Sequence, residues 1–345
     1  MGPNPVLTRV IDKLASRFDL EADEAAEVLR EMMEGRAGEA QTAAVLIALR
    51  TKGETVEELA GLARTMRAMA LRVEVGEEDL LDTAGTGGGQ STFNVSTLAA
   101  LVAAGAGCRV AKHGNRSATG LSGSADVLEA LGARLDVPPE GVAHCIGQVG
   151  FGFMFAPHHH AATRHVVPVR RALGVRTIFN LLGPLTNPAG ATRQLIGVSD
   201  PSVLETVAGA LALLGARSAL VVSSDDGLDE ISVCAPTRVV ELSEGDMRSY
   251  RLRPEDVGVE PAPVGAVRGG TPEHNAGVAR RVLAGETGAE RSLTLLNAGA
   301  AVYVAGRAPS IEAGVVQAAE AIDSGRAAEV LSGFVTQTQL LAAPA

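Results

Sequence analysis

The stretch DTAGTGGGQSTFNVST, residues 82–97, joins three consecutive glycines to a polar Asn-Val-Ser-Thr end. A short apolar segment precedes it, and the apolar run LAALVAAGAG, residues 98–107, follows it. A strand, a glycine-rich loop and a helix start bind phosphate in this order, because backbone N–H groups and the positive end of the helix dipole face the anion. The stretch therefore predicts an α/β fold with an anion-binding loop after a strand.

A second loop favours this interpretation over a plain helix N-cap, for which Asn94, Ser96 and Thr97 are also typical residues. Residues 111–132, AKHGNRSATGLSGSADVLEALG, again follow a short strand and precede a helix. Loops at the carboxyl ends of successive parallel strands face one crevice. The pair therefore predicts a ligand with more than one phosphate, although no lysine follows the glycines as it does in a nucleotide P-loop.

The fold class follows from the order of the predicted elements. From residue 78 onward short apolar strands alternate with helices, which predicts an α/β domain with a mostly parallel central sheet. Residues 237–258 predict an antiparallel addition to it. Residues 1–72 instead carry four helical periods, the fourth opened by the capping-box pair Thr55 and Glu58. We expect a small N-terminal helical subdomain and a larger α/β domain.

The expected domain boundaries lie where this pattern changes. Residues 1–72 form the helical subdomain, which the basic helix and apolar turn at 158–182 are expected to join. The α/β domain then comprises residues 78–157 and 183–345. The helices carry more apolar residues than so small a bundle buries, so we expect them to form a homodimer contact or to dock on the α/β domain.

The composition excludes several classes of protein. The chain has 345 residues, a formal net charge of −10 and 46% hydrophobic residues. Nucleic-acid-binding domains carry a basic surface, so we expect no nucleic-acid partner. No segment has the pattern of a membrane span or a secretion signal, so we expect no membrane partner. The cysteines, Cys108, Cys145 and Cys234, form no close pair, which favours reduced thiols in the cytoplasm.

Four motifs occur in a fixed order: GTGG with STFNVST, KHGNR with SGSADVLEALG, VRRALGVRTIFNLLGPLTNP, and DGLDEIS. With them the chain closely resembles the anthranilate phosphoribosyltransferases, a glycosyltransferase family with a nucleoside phosphorylase-like fold that acts in tryptophan biosynthesis. The resemblance extends from the N-terminal helices to about residue 335. It implies transfer of the phosphoribosyl group from 5-phosphoribosyl 1-pyrophosphate (PRPP) to anthranilate, with release of pyrophosphate.

The resemblance also implies a binding site for each substrate. The implied PRPP residues are Gly85, Gly88, Gly89, Thr92, Asn94, Val95, Ser96, Thr97, Lys112, His113, Gly114, Asn115, Arg116, Ser117, Ala118, Thr119, Gly120 and Ser124. The implied anthranilate residues are Gly85, His113, Asn115, His160, Arg170 and Gly183. Arg170 is expected to bind the anthranilate carboxylate in bidentate fashion, and Gly183 to lie against the ring.

The implied cofactor is Mg²⁺, with two ions expected, held by Ser96, Asp229 and Glu230. Magnesium prefers such oxygen ligands and shares them with substrate phosphates. An acidic loop tip after a strand is the structural alternative for the two carboxylates. No general base stands out, so catalysis is expected to depend on positioning and electrostatics, with contributions from Lys112 and Arg170.

The chain departs from the family pattern at several points. The aspartate that usually follows GTGG is missing, so the first loop is one residue short beside the pyrophosphate and the metal. Thr119 precedes Gly120 where serine is usual, a mild change. Ala161 and Thr163 stand where proline and methionine are common. These last changes leave open a related phosphoribosyltransferase or phosphorylase with another aromatic or nucleobase acceptor.

Two further interpretations concern isolated charges and histidines. Arg171 and Arg176 are interpreted as solvated helix charges or local ion pairs. Histidines 158–160 raise the question of a zinc site, but consecutive side chains diverge and no cysteine or carboxylate lies close in sequence. A non-catalytic relative that binds nucleic acid is the remaining alternative, which the negative net charge disfavours.

Overall fold

A computed structural model describes residues 2–76, 79–90, 92–117 and 120–342. Its N-terminal residues form four helices, as the apolar periods predict. These are α1 (Pro5–Ala15), α2 (Ala22–Met33), α3 (Glu39–Lys52) and α4 (Val56–Ala68). The predicted capping box is confirmed, because the Glu58 N–H donates to the Thr55 hydroxyl at 3.2 Å and the Thr55 N–H donates to the Glu58 carboxylate at 2.9 Å.

A seven-stranded sheet forms the centre of the remaining described chain. Its strands are β1 (Leu81–Gly85), β2 (Val110–Gly114), β3 (Phe151–Phe155), β4 (Arg193–Gly197), β5 (Ser218–Ser224), β6 (Thr237–Ser243) and β7 (Asp246–Leu252). The spatial order is β3-β2-β1-β4-β5-β6-β7. Strands β1 to β5 pair in parallel, and β6 and β7 add antiparallel pairs. The mostly parallel sheet and its antiparallel addition are therefore confirmed.

Helices α5 to α15 flank this sheet. They are α5 (Val95–Gly105), α6 (Ser124–Ala130), α7 (Pro139–Val149), α8 (Ala156–His159), α9 (Val167–Leu173), α10 (Phe179–Leu185), α11 (Leu204–Leu213), α12 (Pro272–Leu283), α13 (Ala289–Val304), α14 (Ile311–Asp323) and α15 (Arg326–Leu341). Short 3-10 helices lie at Ala161–His165, Pro201–Val203 and Pro254–Val257. A search of the described residues finds no helix with the length and apolarity needed to cross a membrane.

The two faces of the sheet belong to two different hydrophobic cores. One face packs against α5 and the C-terminal helices α12 to α15. The core on the other face includes α10 and α11 and continues into α1 to α4, where Leu46 and Leu59 are buried. Helix α4 contacts both α10 and α11. Docking on the α/β domain, expected as one outlet for the apolar residues of the N-terminal helices, is therefore present.

Candidate active site

The chain reverses its direction of travel across the sheet at β1. It runs from β1 to β2 and β3 on one side, and then returns to β4 and β5 on the other. Ligands of open α/β sheets bind beside such a switch point, outside the carboxyl ends of the strands. The loops that follow β1, β2, β4 and β5 meet there, and they include both predicted anion loops and the Asp229–Glu230 pair.

The first loop is held against the loop that carries Asp229. The Gly87 N–H donates to Asp229 Oδ2 at 3.0 Å, and a Cβ atom at Gly85 or Gly89 would lie 2.9 or 2.8 Å from the same carboxylate. At the end of β4, a Cβ atom at Gly197 would lie 1.5 Å from the Asp229 carbonyl oxygen. Glycines at these positions thus let Asp229 approach β1 and β4 more closely than any side chain permits.

The missing aspartate is accompanied by a second set of contacts between these two loops. The Gln90 N–H donates to the Gly227 carbonyl at 3.2 Å, and its side-chain amide donates to the Asp226 carbonyl at 2.7 Å. Gly88 has a φ of +85°, a conformation that favours glycine. The shortened loop is therefore closed directly onto the Asp225–Glu230 turn.

Asn94 joins the two predicted anion loops to each other. Its amide donates to the Ser122 carbonyl at 3.0 Å, and its Oδ1 accepts from the Ser122 hydroxyl at 2.9 Å and from Asn275 at 2.8 Å. Asn94 is the N-cap residue of α5, but its side chain makes no capping hydrogen bond, which disfavours the alternative of a plain helix N-cap. Its left-handed backbone, with φ +65°, marks a strained turn of the kind found at ligand sites.

Asp229 and Glu230 form a buried acidic pair beside the first turn of α5. Thr92 Oγ1 donates to Glu230 Oε1 at 3.3 Å, whereas Glu230 Oε2 has no hydrogen-bond partner among the described residues. Burial raises the pKa of both carboxyl groups, and the Asp229 charge raises that of Glu230 further. Two adjacent carboxylates that form no ion pair with a cation of the described chain, beside the Ser96 hydroxyl, fit the oxygen donor set of magnesium.

Lys112 lies beneath the first loop and not at its surface. It is 1% exposed, and its Nζ donates to Thr83 Oγ1 at 3.3 Å and to Ser96 Oγ at 3.4 Å. Burial lowers the pKa of Lys112 to about 8, and the charges of Asp82 and Glu230 oppose that shift. The ammonium group therefore contacts the end of β1 at Thr83 and the start of α5 at Ser96.

The second loop presents its backbone more than its charged side chain. Arg116 pairs with Asp126 at 2.8 Å and with Glu129 at 2.5 Å, so its guanidinium is engaged on α6. The Gly120 N–H donates to the Ser117 hydroxyl at 2.7 Å, and the Ser117 N–H to Asp126 at 3.1 Å. Of the other residues expected in this loop, Asn115 and Ser124 lie at its two ends. Ala118 and Thr119 lie outside the described residues.

Two expected acceptor-site histidines lie side by side at the end of β2. The rings of His113 and His160 are 5.1 Å apart, and His113 Nδ1 lies 3.2 Å from the Gly183 carbonyl oxygen. His113 Nε2 and His160 Nδ1 are buried without a hydrogen-bond partner among the described residues. A Cβ atom at Gly183 would meet nothing within 4 Å, so there is room for a planar ring against it.

Arg170 on α9 is a half-buried cation that packs against the helix that carries Gly183. Its guanidinium lies 5.1 Å from the ring centroid of Phe179, the first residue of α10, and Gly183 is four residues further along that helix. Four residues of helix span roughly 6 Å. Arg170 has no carboxylate partner among the described residues, and burial lowers its pKa. These features suit a cation that awaits a ligand carboxylate.

His160 predicts a measurable loss of stability in acid. Burial lowers its pKa to about 4, below its usual value of 6.5. As the pH falls below 6.5 the unfolded chain therefore takes up a proton before the folded one does, and stability is lost between pH 6.5 and 4. Between pH 7 and 5, His160→Gln should lose about 2 kcal/mol less free energy of unfolding than the wild type in urea titrations.

The exposed neighbour His158 supplies the matched control for this measurement. His158→Gln should lose as much stability as the wild type over the same pH range. Equal acid losses in the wild type and in His160→Gln would show that His160 is not held neutral by the fold.

Arg176 is exposed, as a solvated charge is expected to be, but it lies on no helix and forms no ion pair with a carboxylate of the described residues. Arg176 lies in the turn between α9 and α10, where its guanidinium donates to Ser199 Oγ at 2.5 Å and lies 3.4 Å from Thr86 Oγ1. A Cβ atom at Gly88 would touch this guanidinium at 2.7 Å. Sequence analysis does not predict this contact, because 88 positions separate Gly88 and Arg176. The motif VRTIFN, which contains Arg176, is the one sequence feature that marks this turn.

No cluster of three or more His, Cys, Asp or Glu side chains that suits a metal ion is found in the part of the chain that the structure describes. His159 Nδ1 lies 2.7 Å from the Leu71 carbonyl and His160 Nε2 lies 3.1 Å from the Thr186 carbonyl. The side chains of His159 and His160 therefore contact different carbonyl groups, because consecutive side chains point in different directions.

Comparison with known families identifies the class of this fold and site. The a/b domain of a glycosyl transferase family matches residues 77–328, and the helical bundle domain of that family matches residues 8–70. The two matches correspond to the sheet with its flanking helices and to the N-terminal helices. Fold and site together define a two-domain glycosyl transferase.

Individual relatives narrow this class. An anthranilate phosphoribosyltransferase from Symbiobacterium thermophilum is 53% identical over 323 residues, 93% of this chain and 95% of its own. The crystal structure of the Thermus thermophilus enzyme of that name has 47% identity and a TM-score of 0.90, covering 96% of this chain and 99% of that one. This chain belongs to the anthranilate phosphoribosyltransferase family.

A more distant member has been solved with ligands. The anthranilate phosphoribosyltransferase from Saccharomyces cerevisiae in complex with PRPP and Mg is 28% identical, with a TM-score of 0.88 and coverage of 97% of this chain and 98% of that one. The yeast enzyme has also been solved with 4-fluoroanthranilate, at 27% identity and a TM-score of 0.88, again covering 97% and 98% of the two chains.

Proposed function

We propose that this protein transfers the phosphoribosyl group of PRPP to anthranilate, giving N-(5-phosphoribosyl)anthranilate and pyrophosphate in tryptophan biosynthesis. The observation that carries the proposal is the junction of two anion loops beside an unpaired acidic pair. Asn94 ties the loops together through Ser122, and Gly87 ties the first loop to Asp229. A diphosphorylated sugar is a ligand that needs both loops at once.

The first loop and the start of α5 are proposed to bind the pyrophosphate end of PRPP. Within it the Asn94 side chain makes no capping hydrogen bond, which leaves the Val95 N–H available to phosphate oxygens, while the Ser96 N–H faces the Glu230 carboxylate. The backbone from Lys112 to Gly120 and the Ser124 hydroxyl are proposed to line the phosphoribosyl end. Lys112 supports the same end of α5 from below through Ser96.

Ser96, Asp229 and Glu230 are proposed to hold Mg²⁺, with a stoichiometry of two ions. When bound, the cation neutralises charge on the pyrophosphate oxygens. The raised pKa of the two carboxyl groups means that a cation must displace protons to bind them. The glycines at positions 85, 89 and 197 hold Asp229 in place by permitting its close approach.

On the acceptor side, Arg170 is proposed to bind the anthranilate carboxylate and Gly183 to lie against the ring, with His113, Asn115 and His160 around it. The anilinic amine is neutral at pH 7, so it is a usable nucleophile without a strong base. The C1–O bond to pyrophosphate loosens first, the amine nitrogen then bonds to C1, and the departing pyrophosphate carries away the proton that the amine loses. No covalent enzyme intermediate is needed, and the residues act by positioning and electrostatics.

Turnover with anthranilate, PRPP and Mg²⁺ tests the proposal through the loss of anthranilate fluorescence. We expect turnover that requires Mg²⁺ and releases one pyrophosphate for each anthranilate consumed. A screen of other aromatic amines and nucleobases in the same assay separates the alternative acceptors, since Thr163 donates to the His160 carbonyl at 2.7 Å and so adjoins the acceptor side. Turnover with another acceptor and none with anthranilate would overturn the assignment.

The proposed assembly is a homodimer formed through the N-terminal helices, with residues 158–182 counted as part of that helical subdomain. Helix α9 contacts α3, and the 3-10 helix at Ala161–His165 contacts α2, which supports this division of the chain. Ile47 and Met69 remain only half buried, and Phe18 is 63% exposed. Sedimentation equilibrium measures the assembly directly.

A further inference from the structure

A cleft of about 400 Å³ lies between the helical subdomain and the sheet, on the side of the first loop. Arg50 of α3, Glu54 and Arg176 line it from the helical subdomain, and Thr86 and Asp200 line it from the α/β domain. Because Thr86 directly follows β1, the cleft opens onto the loop that is proposed to hold the pyrophosphate.

Arg176 lies at the boundary between this cleft and the first loop. It reaches Ser199 Oγ at 2.5 Å and Thr86 Oγ1 at 3.4 Å, and it lies against Gly88. The backbone carbonyl of Arg176 accepts a hydrogen bond from the Arg50 guanidinium at 2.8 Å. Helix α3 therefore fixes the position of the turn that carries Arg176. The side chain is thus fixed by hydroxyl groups, which release a guanidinium more readily than carboxylates do.

The cleft holds two carboxylates, Glu54 and Asp200, as well as its two arginines. Neither Arg50 nor Arg176 has a carboxylate within ion-pair distance among the described residues. Asp200 Oδ1 is occupied by the N–H and hydroxyl of Ser202, at 2.9 and 2.7 Å. The Thr177 hydroxyl, on a residue only 4% exposed, lines the cleft and has no hydrogen-bond partner in the described chain. Two cations and an unpartnered hydroxyl are a suitable donor set for an anion.

We propose that Arg176 binds the inorganic diphosphate leaving group at the mouth of this cleft, and that the cleft is the route by which diphosphate leaves. The proposal deepens the proposed function and rests on it. The guanidinium binds two diphosphate oxygens in place of the Ser199 and Thr86 hydroxyls.

Calorimetric titration of inorganic diphosphate in the presence of Mg²⁺ tests this role directly. Arg176→Gln should weaken diphosphate binding by about tenfold or more, since a charge-assisted bidentate contact is lost. Arg176→Lys should lose part of the affinity, because lysine keeps the positive charge but cannot make the bidentate contact of a guanidinium. Arg171→Gln, on the exposed side of α9, is the matched control and should bind like the wild type.

Steady-state kinetics adds a readout that a merely structural role would not move. The KM for PRPP should rise in Arg176→Gln, and product inhibition by diphosphate should weaken, while the KM for anthranilate stays within about twofold of the wild-type value. Diphosphate affinity within twofold of the wild type in both Arg176 variants, or no diphosphate binding by the wild type, would overturn the proposal. A different pair of results would separate the two proposals. If the wild type does not use anthranilate but Arg176→Gln still weakens diphosphate binding, the proposed function is refuted and the anion site at Arg176 remains supported.

Discussion

Asp229→Asn should lower kcat/KM for PRPP on the order of a hundredfold to a thousandfold, as the loss of a preorganised charge beside a developing negative charge does. Asparagine keeps an oxygen that accepts from the Gly87 N–H, so the contact at 3.0 Å between the two loops survives. It removes one negative charge from the proposed magnesium site. The concentration of Mg²⁺ required for half-maximal rate should therefore rise as kcat falls.

Asp225 supplies the matched control, because it lies on the same turn but faces away from the first loop. It pairs with Arg238 at 3.3 Å and with Arg251 at 3.1 Å on the antiparallel strands. Asp225→Asn should keep the wild-type Mg²⁺ dependence. Unchanged Mg²⁺ dependence in Asp229→Asn, measured with fluorescence turnover, would contradict the assignment of the acidic pair.

Arg170→Ala should weaken anthranilate binding by about ten- to a hundredfold, the range expected when a hydrogen bond to a charged group is removed. The affinity for PRPP should stay nearly unchanged, because Arg170 lies on α9 against Phe179 and not on either anion loop. The KM for each substrate, measured separately, and calorimetric titration of both ligands check the prediction.

Arg171→Ala is the neighbouring control, since Arg171 is exposed on the same helix. It should leave both affinities unchanged. Equal losses for anthranilate and PRPP in Arg170→Ala would show that Arg170 supports the domain structure and does not select the acceptor.

The sheet and the N-terminal helices were predictable because their hydrophobic periods and caps are local. The capping box at Thr55 and Glu58 and the antiparallel strands β6 and β7 are examples. Helix α13 was not predicted. Its residues, AERSLTLLNAGAAVYV, are buried around most of the circumference, so no amphipathic period marks it. Gly299 in it lies against the backbone of Val315 on α14, a contact that sequence alone does not show.

In the candidate site too, some features could be predicted from the sequence and others could not. The anion loops and the acidic pair follow strands, so their meeting at one edge of the sheet follows from the topology. The burial of Lys112 beneath α5, the outward pairing of Arg116 on α6 and the reach of Arg176 to Gly88 depend on side-chain directions. No local pattern specifies those directions, so the contacts of Arg176 with Ser199 and Gly88 could not be predicted.

A crystal structure with PRPP and Mg²⁺ tests the central claim most directly. The account predicts one PRPP molecule whose pyrophosphate lies on the first loop at residues 85–97 and whose phosphoribosyl group lies on the second loop, with magnesium on Ser96, Asp229 and Glu230. PRPP bound away from one of these loops, or magnesium bound without either carboxylate, would contradict it.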